Sequence, residues 1–121
     1  MGKPKTIMID DVEYVRNGES ASVVNTDGLE YVIVRTYSAG VHAGYIKKRD
    51  GKEGEMINVR RLWYWDGAAS LSQMALSGVS KPDKCKFSVS APKVVLTEII
   101  EILSCTKEAF ESISKVKDWV A

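Results

Sequence analysis

The segment at residues 60–67, with the sequence RRLWYWDG, holds the densest group of chemically active side chains in the chain. Arginine guanidinium groups match the geometry of phosphate oxygens, and large flat rings offer faces on which a base can stack. Two arginines followed by three aromatic residues therefore indicate a nucleotide-binding site. Aromatic residues at alternating positions are also typical of a core or a subunit interface, so both interpretations of Trp63 and Trp65 stay open.

A second segment, YSAGVHAG at residues 37–44, places several small residues between two strong strand candidates. Glycine inside a strand often marks a bulge or the close approach of another backbone. Such an approach leaves room for a ligand beside Arg35 and Tyr37, or allows close packing of subunits. His42 is most simply an ordinary strand residue, and it is included among the candidate ligand contacts.

A candidate anion site follows the aromatic segment, where Asp66 stands at a predicted helix start and Gly67 and two alanines come next. The first N–H groups of a helix have no partner within the helix and attract anions, and small residues would let a phosphate come close. Asp66 as a cap would satisfy one of those groups itself and repel an anion. Both outcomes remain open at this point.

Composition excludes several classes of protein. The chain has 121 residues and 13.4 kDa, which predicts one domain over residues 1–121. Its 17 basic and 16 acidic side chains give a net charge of +1, whereas a general nucleic-acid binder usually carries a larger basic excess. No apolar run approaches the roughly eighteen residues of a membrane span, and no signal peptide is recognisable, so we predict a cytosolic protein.

The sequence offers little for catalysis. It has one histidine, and the two cysteines, Cys85 and Cys105, lie far from it in the chain, whereas a zinc site needs three or four ligands. The motifs CxxC, HExxH, GxSxG and GxxxxGK[ST] are missing from the sequence. We therefore predict a protein that is not an enzyme and that uses no cofactor and no metal.

The elements that must position these residues are strands first and helices later. Runs of β-branched and aromatic residues separated by turn dipeptides such as Asp50-Gly51 predict hairpins. We predict an α+β fold, an antiparallel β-sheet of five or more strands with two short helices, in a homo-oligomer. The predicted segments are short strands at 1–30, a β-meander at 31–65, a helix at 66–78, a loop at 79–92, a strand at 93–104 and a helix with a tail at 106–118.

Alternation predicts which side chains share a face. In the strand at residues 31–37, the face of Val32, Val34 and Thr36 is expected to look inward. In residues 56–65, alternation places Arg61, Trp63 and Trp65 together, opposite Arg60. The face of the first strand that is expected to be free for a partner carries Tyr31, Ile33, Arg35 and Tyr37.

Residues 94–103 fit two structures. Their apolar positions form a helical stripe, but six of the nine residues from 94 to 102 are β-branched, which favours a strand. We predict a strand there, with a helix as the alternative.

Three segments, YVIVRTYSAGVHAGY, RRLWYWDGAASLSQMA and EILSCTKEAF, together resemble a family of small phage and prophage proteins. The similarity extends from about residue 31 to the C-terminus, and its most distinctive part is residues 60–73. Within this group the chain looks most like the phage anti-defence sponge proteins that act against bacterial Thoeris immunity.

The resemblance implies a mechanism. Those proteins are not enzymes; they bind a cyclic ADP-ribose isomer made by the TIR-domain enzyme of Thoeris and keep it from its effector. They form homodimers, some of which assemble into hexamers, with signal pockets at subunit interfaces, and some also hold cyclic oligonucleotides at separate sites. The expected location is the cytoplasm of the infected bacterial host, with no membrane partner.

The candidate contacts for such a ligand rest on side-chain chemistry. An adenine face, a pyrophosphate and ribose hydroxyls need rings, arginines and hydroxyl groups respectively. The candidate phosphate contacts are Arg35, Arg60 and Arg61. The candidate stacking residues are Tyr37, Trp63 and Trp65. The candidate ribose contacts are Ser38 and Ser70, and His42 completes the set.

Two other functions remain open. Aromatic residues and arginine also anchor protein–protein interfaces, so the chain could inhibit a host enzyme by covering it. A small nucleic-acid-binding module is a further alternative, for which Lys47, Lys48 and Lys52 at a hairpin tip would supply the charge. A nucleic-acid partner is not expected, because charges at such a tip more often keep an edge soluble.

Overall fold

The computed structural model describes residues 23–120, so most of the segment predicted as short strands at 1–30 lies outside the described residues. The fold is α+β, an antiparallel sheet of six strands with two short helices, which confirms the predicted class. A 3-10 turn at Pro82–Lys84 precedes the fourth strand. The elements are β1 (Glu30–Thr36), β2 (Val41–Asp50), β3 (Glu53–Tyr64), α1 (Leu71–Ser77), β4 (Lys86–Phe87), β5 (Ala91–Leu96), β6 (Ile99–Ser104) and α2 (Lys107–Ser114).

The first three strands form a meander through two tight turns. Between β1 and β2, the hydroxyl of Thr36 accepts the N–H of Ala39 at 2.9 Å and donates to the carbonyl of Gly40 at 2.7 Å. Gly40 has a φ of 86° and Gly51, in the β2–β3 turn, a φ of 61°, and both lie in the left-handed region that glycine enters without strain. The turn chemistry thus fixes the register of β1, β2 and β3.

The sheet curls until its two sides meet. β6 pairs with β1 on one side of the meander, and β5 pairs with β3 on the other. Only Thr97 and Glu98 separate β5 from β6, so the end of β5 and the start of β6 lie close together. The N–H of Ile99 donates to the carbonyl of Lys52 at 2.9 Å, and the N–H of Tyr37 donates to the carbonyl of Glu98 at 2.9 Å. These bonds tie both turns of the meander to the β5–β6 turn.

Curling gives the sheet a buried surface on both faces. The inner core, inside the curl, contains Val32, Val34, Met56, Val59, Leu96 and Ile99. The outer core lies between the sheet and the two helices and includes Tyr31, Ile33, Leu62, Met74, Phe87 and Ile113. The prediction that Tyr31 and Ile33 lie on a face free for a partner was wrong, because α1 and α2 cover that part of β1.

A bulge in β3 changes which residues share a face. Asn58 has a φ of 48°, and the β2–β3 register shifts there, so that Ala43 pairs with Arg60 but Tyr45 pairs with Ile57. The extra residue turns Met56 and Val59 toward the same inner core although they are three positions apart. A strict alternation through residues 56–65 was therefore wrong on the N-terminal side of the bulge.

Three predicted boundaries differ from the structure. Helix α1 begins at Leu71 with Ser70 as its cap, five residues later than expected, because Ser70 accepts the N–H of Gln73 at 3.1 Å. The predicted loop at 79–92 contains β4 and the start of β5. The single strand predicted at 93–104 is two strands that pair with opposite sides of the meander. No helix in residues 23–120 has the length and apolar character needed to cross a membrane.

Candidate functional site

The C-terminal half of β3 presents an arginine and a tryptophan on one exposed face. The Cζ atom of Arg61 lies 4.0 Å from the centre of the Trp63 ring, so the guanidinium stacks on the indole. Ser88 holds the backbone at this point, because its hydroxyl accepts the N–H of Arg61 at 2.8 Å and its N–H donates to the carbonyl of Arg61 at 2.9 Å. Trp63 remains 53% exposed. Its ring is therefore held by its neighbours and still open to a ligand.

A second indole reaches this face from the segment that follows α2. We call residues 115–120 the strap. Asp118 forms a parallel bridge with Phe87 of β4, and the N–H of Trp119 donates to the carbonyl of Phe87 at 2.8 Å. This pairing brings the Trp119 ring to 6.4 Å from the Trp63 ring, centre to centre, at an interplanar angle of 66°. The Nζ atom of Lys86 lies 5.3 Å from the centre of the Trp119 ring.

Arg61, Trp63, Trp119 and Lys86 form what we call the indole surface. Two half-exposed indoles stand side by side, with one cation over each ring. Exposed cation–π contacts are worth only about 0.5–1 kcal/mol, so the two cations can move to an anionic ligand at little cost. A ring stacked on tryptophan contributes about 1–3 kcal/mol. The indole surface can therefore bind a ligand that combines a flat base with phosphate groups.

His42 lies next to the indole surface, in the ladder position opposite Arg61. It is 6% exposed, and its Nδ1 atom is buried with no hydrogen-bond partner in the described part of the chain. Burial, and then the positive charge of Arg61, lower the pKa of His42 from 6.5 to about 4. The imidazole is therefore neutral near pH 7 and adds no charge to the site.

The low pKa of His42 predicts that acid weakens the fold. Between the unfolded pKa of 6.5 and the folded pKa of about 4, the unfolded chain binds more protons than the folded chain. The contribution of the neutral His42 to stability is therefore fully present above pH 6.5 and is lost as the pH falls toward 4. The loss is at most about 1.4 kcal/mol per pH unit. Urea unfolding from about pH 7 to about pH 4 should show a steeper decline for the wild type than for His42→Leu. Parallel curves for the two proteins would contradict this assignment.

The β1–β2 turn borders the other side of Arg61. A Cβ atom on Gly40 would lie 3.0 Å from both Nε and Nη2 of Arg61, so glycine leaves space for the guanidinium. Ser38 donates to the Oε1 atom of Glu98 at 2.5 Å, and Arg35 donates to the Oε1 atom of Glu101 at 2.9 Å. These two predicted contacts are each engaged with a carboxylate.

Tyr37, in the same turn, has an exposed side chain. Its side chain is 79% exposed, and its backbone N–H is bonded to the β5–β6 turn. The ring is thus available to a ligand or partner at the edge of the site.

Arg60 points away from the indole surface, into the protein. It is 8% exposed, and its guanidinium donates to the carbonyls of Ser88 at 2.9 Å, Ile113 at 2.9 Å and Val116 at 2.8 Å. Its Nη2 atom also lies 3.3 Å from Oδ1 of Asp118. The prediction that Arg60 contacts phosphate does not fit this geometry, because its donors are directed at main-chain oxygens and one carboxylate.

The two remaining predicted residues are also separate from the indole surface. Trp65 lies beyond the end of β3 and packs, partly buried, against the outer core, so it does not share a face with Trp63. Ser70 caps α1. Gly67, three residues earlier, lies before the helix and lines a cleft of about 480 Å³ between the helices, where the two acidic groups of Glu108 and Glu111 outnumber the single basic group of Lys115. The predicted phosphate site at Gly67 is therefore not supported by the structure.

Residues 29–113 match the family described as a domain of unknown function, DUF6948. The chain belongs to this family. The DUF6948 match extends from just before β1 into α2 and includes Arg61, Trp63 and Lys86, whereas Trp119 lies outside it. No curated protein and no solved structure matches the chain.

Two residues of this DUF6948 protein's indole surface were not among the predicted contacts. Trp119 lay just beyond the predicted helix and tail at 106–118, and Lys86 lay in the predicted loop at 79–92. The sequence signal for Trp119 was its position shortly after an amphipathic helix. Nothing local marked Lys86, because its position depends on the pairing of β4 with Tyr64 of β3. Within residues 23–120, no three His, Cys, Asp or Glu side chains are grouped so that they could hold a metal ion.

Proposed function

We propose that this DUF6948 protein is a phage sponge that binds a cyclic ADP-ribose isomer on the indole surface and sequesters it without breaking a bond. It would act in the cytoplasm of the infected bacterial host, against the signal of Thoeris immunity. The pair of half-exposed indoles, each with a cation over its ring, carries the binding proposal. The identity of the ligand rests on the resemblance of the sequence to the sponge proteins.

The ligand and the surface have matching parts. The adenine would stack on Trp63 or Trp119, and the pyrophosphate would accept hydrogen bonds from Arg61 and Lys86. Nanomolar affinity corresponds to about −12 kcal/mol. One or two stacked rings supply about 1–3 kcal/mol each, and each hydrogen bond to a charged group supplies about 1.5–3 kcal/mol. These contacts reach the required range only if most of the ligand is removed from water.

A second copy of the chain would supply that enclosure. Tight ligand sites bury about 70–90% of their ligand, but the indole surface of one protomer is open. Trp63 and Trp119 line neither of the two larger cavities described, of about 480 and 330 Å³. We therefore propose a homodimer or higher homo-oligomer in which another protomer covers the bound ligand.

The test is calorimetric titration with cyclic ADP-ribose isomers. Trp63→Ala is expected to weaken binding of the preferred isomer by about 100-fold, since losing a stacked ring costs up to about 3 kcal/mol. Leu76→Ala is the control, because Leu76 is a similarly exposed apolar residue, at 60%, on α1, which contributes no residue to the indole surface. Its loss should leave the affinity unchanged.

Two results would remove the proposal. One is the absence of binding to any isomer by the wild type. The other is recovery of a cleaved product, instead of intact ligand, after denaturation of the complex. Equal losses from Trp63→Ala and Leu76→Ala would place the ligand away from the indole surface.

The open shape of the indole surface supports a second candidate, an inhibitor that covers a host protein. Tryptophan and arginine are the commonest anchors of protein interfaces. This candidate predicts a stable complex with a host enzyme that Trp63→Ala disrupts and Leu76→Ala does not, with no affinity for any cyclic ADP-ribose isomer.

A further inference from the structure

We infer that Arg60 is a positioning residue that holds the strap so that Trp119 stands beside Trp63. Arg60 would act on the ligand only through Trp119, without touching it. This inference deepens the proposed function and rests on it for the ligand, while the structural link between Arg60 and Trp119 can be tested without any ligand.

The first argument is the set of partners around one guanidinium. Nη1 donates to the carbonyl of Ile113 at the end of α2, and Nη2 donates to the carbonyl of Val116 in the strap. The same Nη2 lies 3.3 Å from the carbonyl of Lys117, and Nε donates to the carbonyl of Ser88 just after β4. Through these bonds the Arg60 side chain connects the end of α2, the strap and the residue that follows β4.

The second argument is that the strap has few other attachments. The side chain of Val116 is buried, but the side chains of residues 117–120 are exposed. Apart from the Arg60 contacts, residues 117–120 are held by the Asp118–Phe87 bridge with its Trp119 N–H bond, and by the contacts of the exposed Trp119 ring with Trp63 and Lys86. Ordering one residue costs about as much free energy as one hydrogen bond returns, and exposed cation–π contacts add only about 0.5–1 kcal/mol, so these contacts need the Arg60 bonds beside them to order residues 117–120.

The third argument is the direction of the side chains. Arg60 and Arg61 are consecutive in β3 and therefore point to opposite faces. Arg61 stacks on Trp63, whereas Arg60 is 5.4 Å from the centre of the buried Phe87 ring. A ligand on the indole surface cannot reach the Arg60 guanidinium without displacing the strap.

A double-mutant cycle tests the inference. Trp119→Ala, Arg60→Lys and the double variant are titrated with the cyclic ADP-ribose isomer that the wild type prefers. We expect a loss of about tenfold for either single change, the value of one weakened stacking contact. We expect the double variant to lose no more than Trp119→Ala alone, because Arg60 has nothing left to position. If the loss of affinity in the double variant equals the product of the two single losses, Arg60 acts on the ligand by another route and the inference is wrong.

A spectroscopic signature tests the link without ligand. The Trp63 and Trp119 rings are close enough to couple in far-ultraviolet circular dichroism. The coupled band is obtained by subtracting the spectrum of Trp119→Ala from that of the wild type. Arg60→Lys should abolish that band, and Asp118→Asn, which leaves the carbonyl contacts intact, should keep it. A band that survives Arg60→Lys would overturn the inference. If no isomer binds the wild type, the proposed function fails, and this arm still shows whether Arg60 positions Trp119.

A measurement on the wild type covers the case in which Arg60→Lys does not fold. Amide hydrogen exchange should show the Trp119 N–H protected to a similar degree as the Val116 N–H, which is bonded to Ile113. Exchange of the Trp119 N–H at the rate of an unstructured peptide would mean that the strap is not held, which would equally overturn the inference.

Discussion

Arg60→Met is expected to lower the free energy of unfolding by about 4 kcal/mol. Methionine retains much of the length and the apolar contacts of the side chain but donates no hydrogen bond. The carbonyls of Ser88 and Val116 then lose this partner, at a cost of about 1–3 kcal/mol for each buried acceptor, whereas the carbonyl of Ile113 keeps the N–H of Val116. Urea denaturation, followed by tryptophan fluorescence, measures the change.

Arg61→Met is the matched control for this variant. The two arginines are neighbours in the same strand, but the contact recorded for the Arg61 guanidinium is the stacking on Trp63. Its loss should cost less than about 1 kcal/mol. Similar losses of stability in the two variants would show that the main-chain contacts of Arg60 do not carry the effect.

Gly44→Ala is expected to destabilise the sheet by about 3 kcal/mol or to prevent folding. A Cβ atom on Gly44 would lie 2.7 Å from Cα and 2.8 Å from Cβ of Val59, beside the bulge at Asn58. These are atoms of a buried, paired strand and cannot rotate away, so β2 and β3 would have to separate. Thermal unfolding of the purified variant, or its failure to accumulate as folded protein, provides the readout.

Gly51→Ala separates this steric effect from the general cost of replacing a glycine. Gly51 has a φ of 61°, and a Cβ atom there would meet no atom within 4 Å. Its replacement should cost only about 1 kcal/mol, the strain of a left-handed alanine. If Gly44→Ala costs no more than Gly51→Ala, the close approach of β2 to Val59 does not limit the structure.

The sheet was predictable from the sequence because its signals are local. β-branched runs and the turn glycines indicated the strands of the meander, and β-branched residues at 94–102 indicated strand over helix. The break at Thr97 and Glu98 was not predictable, because it depends on β5 and β6 pairing with strands far away in the chain. The bulge at Asn58 was not predictable either, because Asn58 is polar and fits a polar position of an alternating strand.

The candidate site was only partly predictable. Alternation correctly separated Arg60 from Arg61, but no local feature showed which of the two is buried. That choice is made by the carbonyls of residues 113–117, more than fifty positions later, which meet Arg60 only in the folded chain. Trp65 was assigned to the face of Trp63 because periodicity continued in the sequence past the point where β3 ends at Tyr64.

The two-residue turn that closes the sheet has a consequence for folding kinetics. Val34 must pair with Ile102, so the ladder between β1 and β6 forms only after nearly the whole domain has been brought together. Contacts so distant in sequence carry a large loop-closure entropy, and proteins rich in them fold slowly. Until that step, a chain emerging from the ribosome exposes β1 with an unpaired, apolar edge, which is the kind of surface that aggregates. We therefore expect the speed of this closure, more than the final stability, to determine how much of the newly made protein reaches its native form.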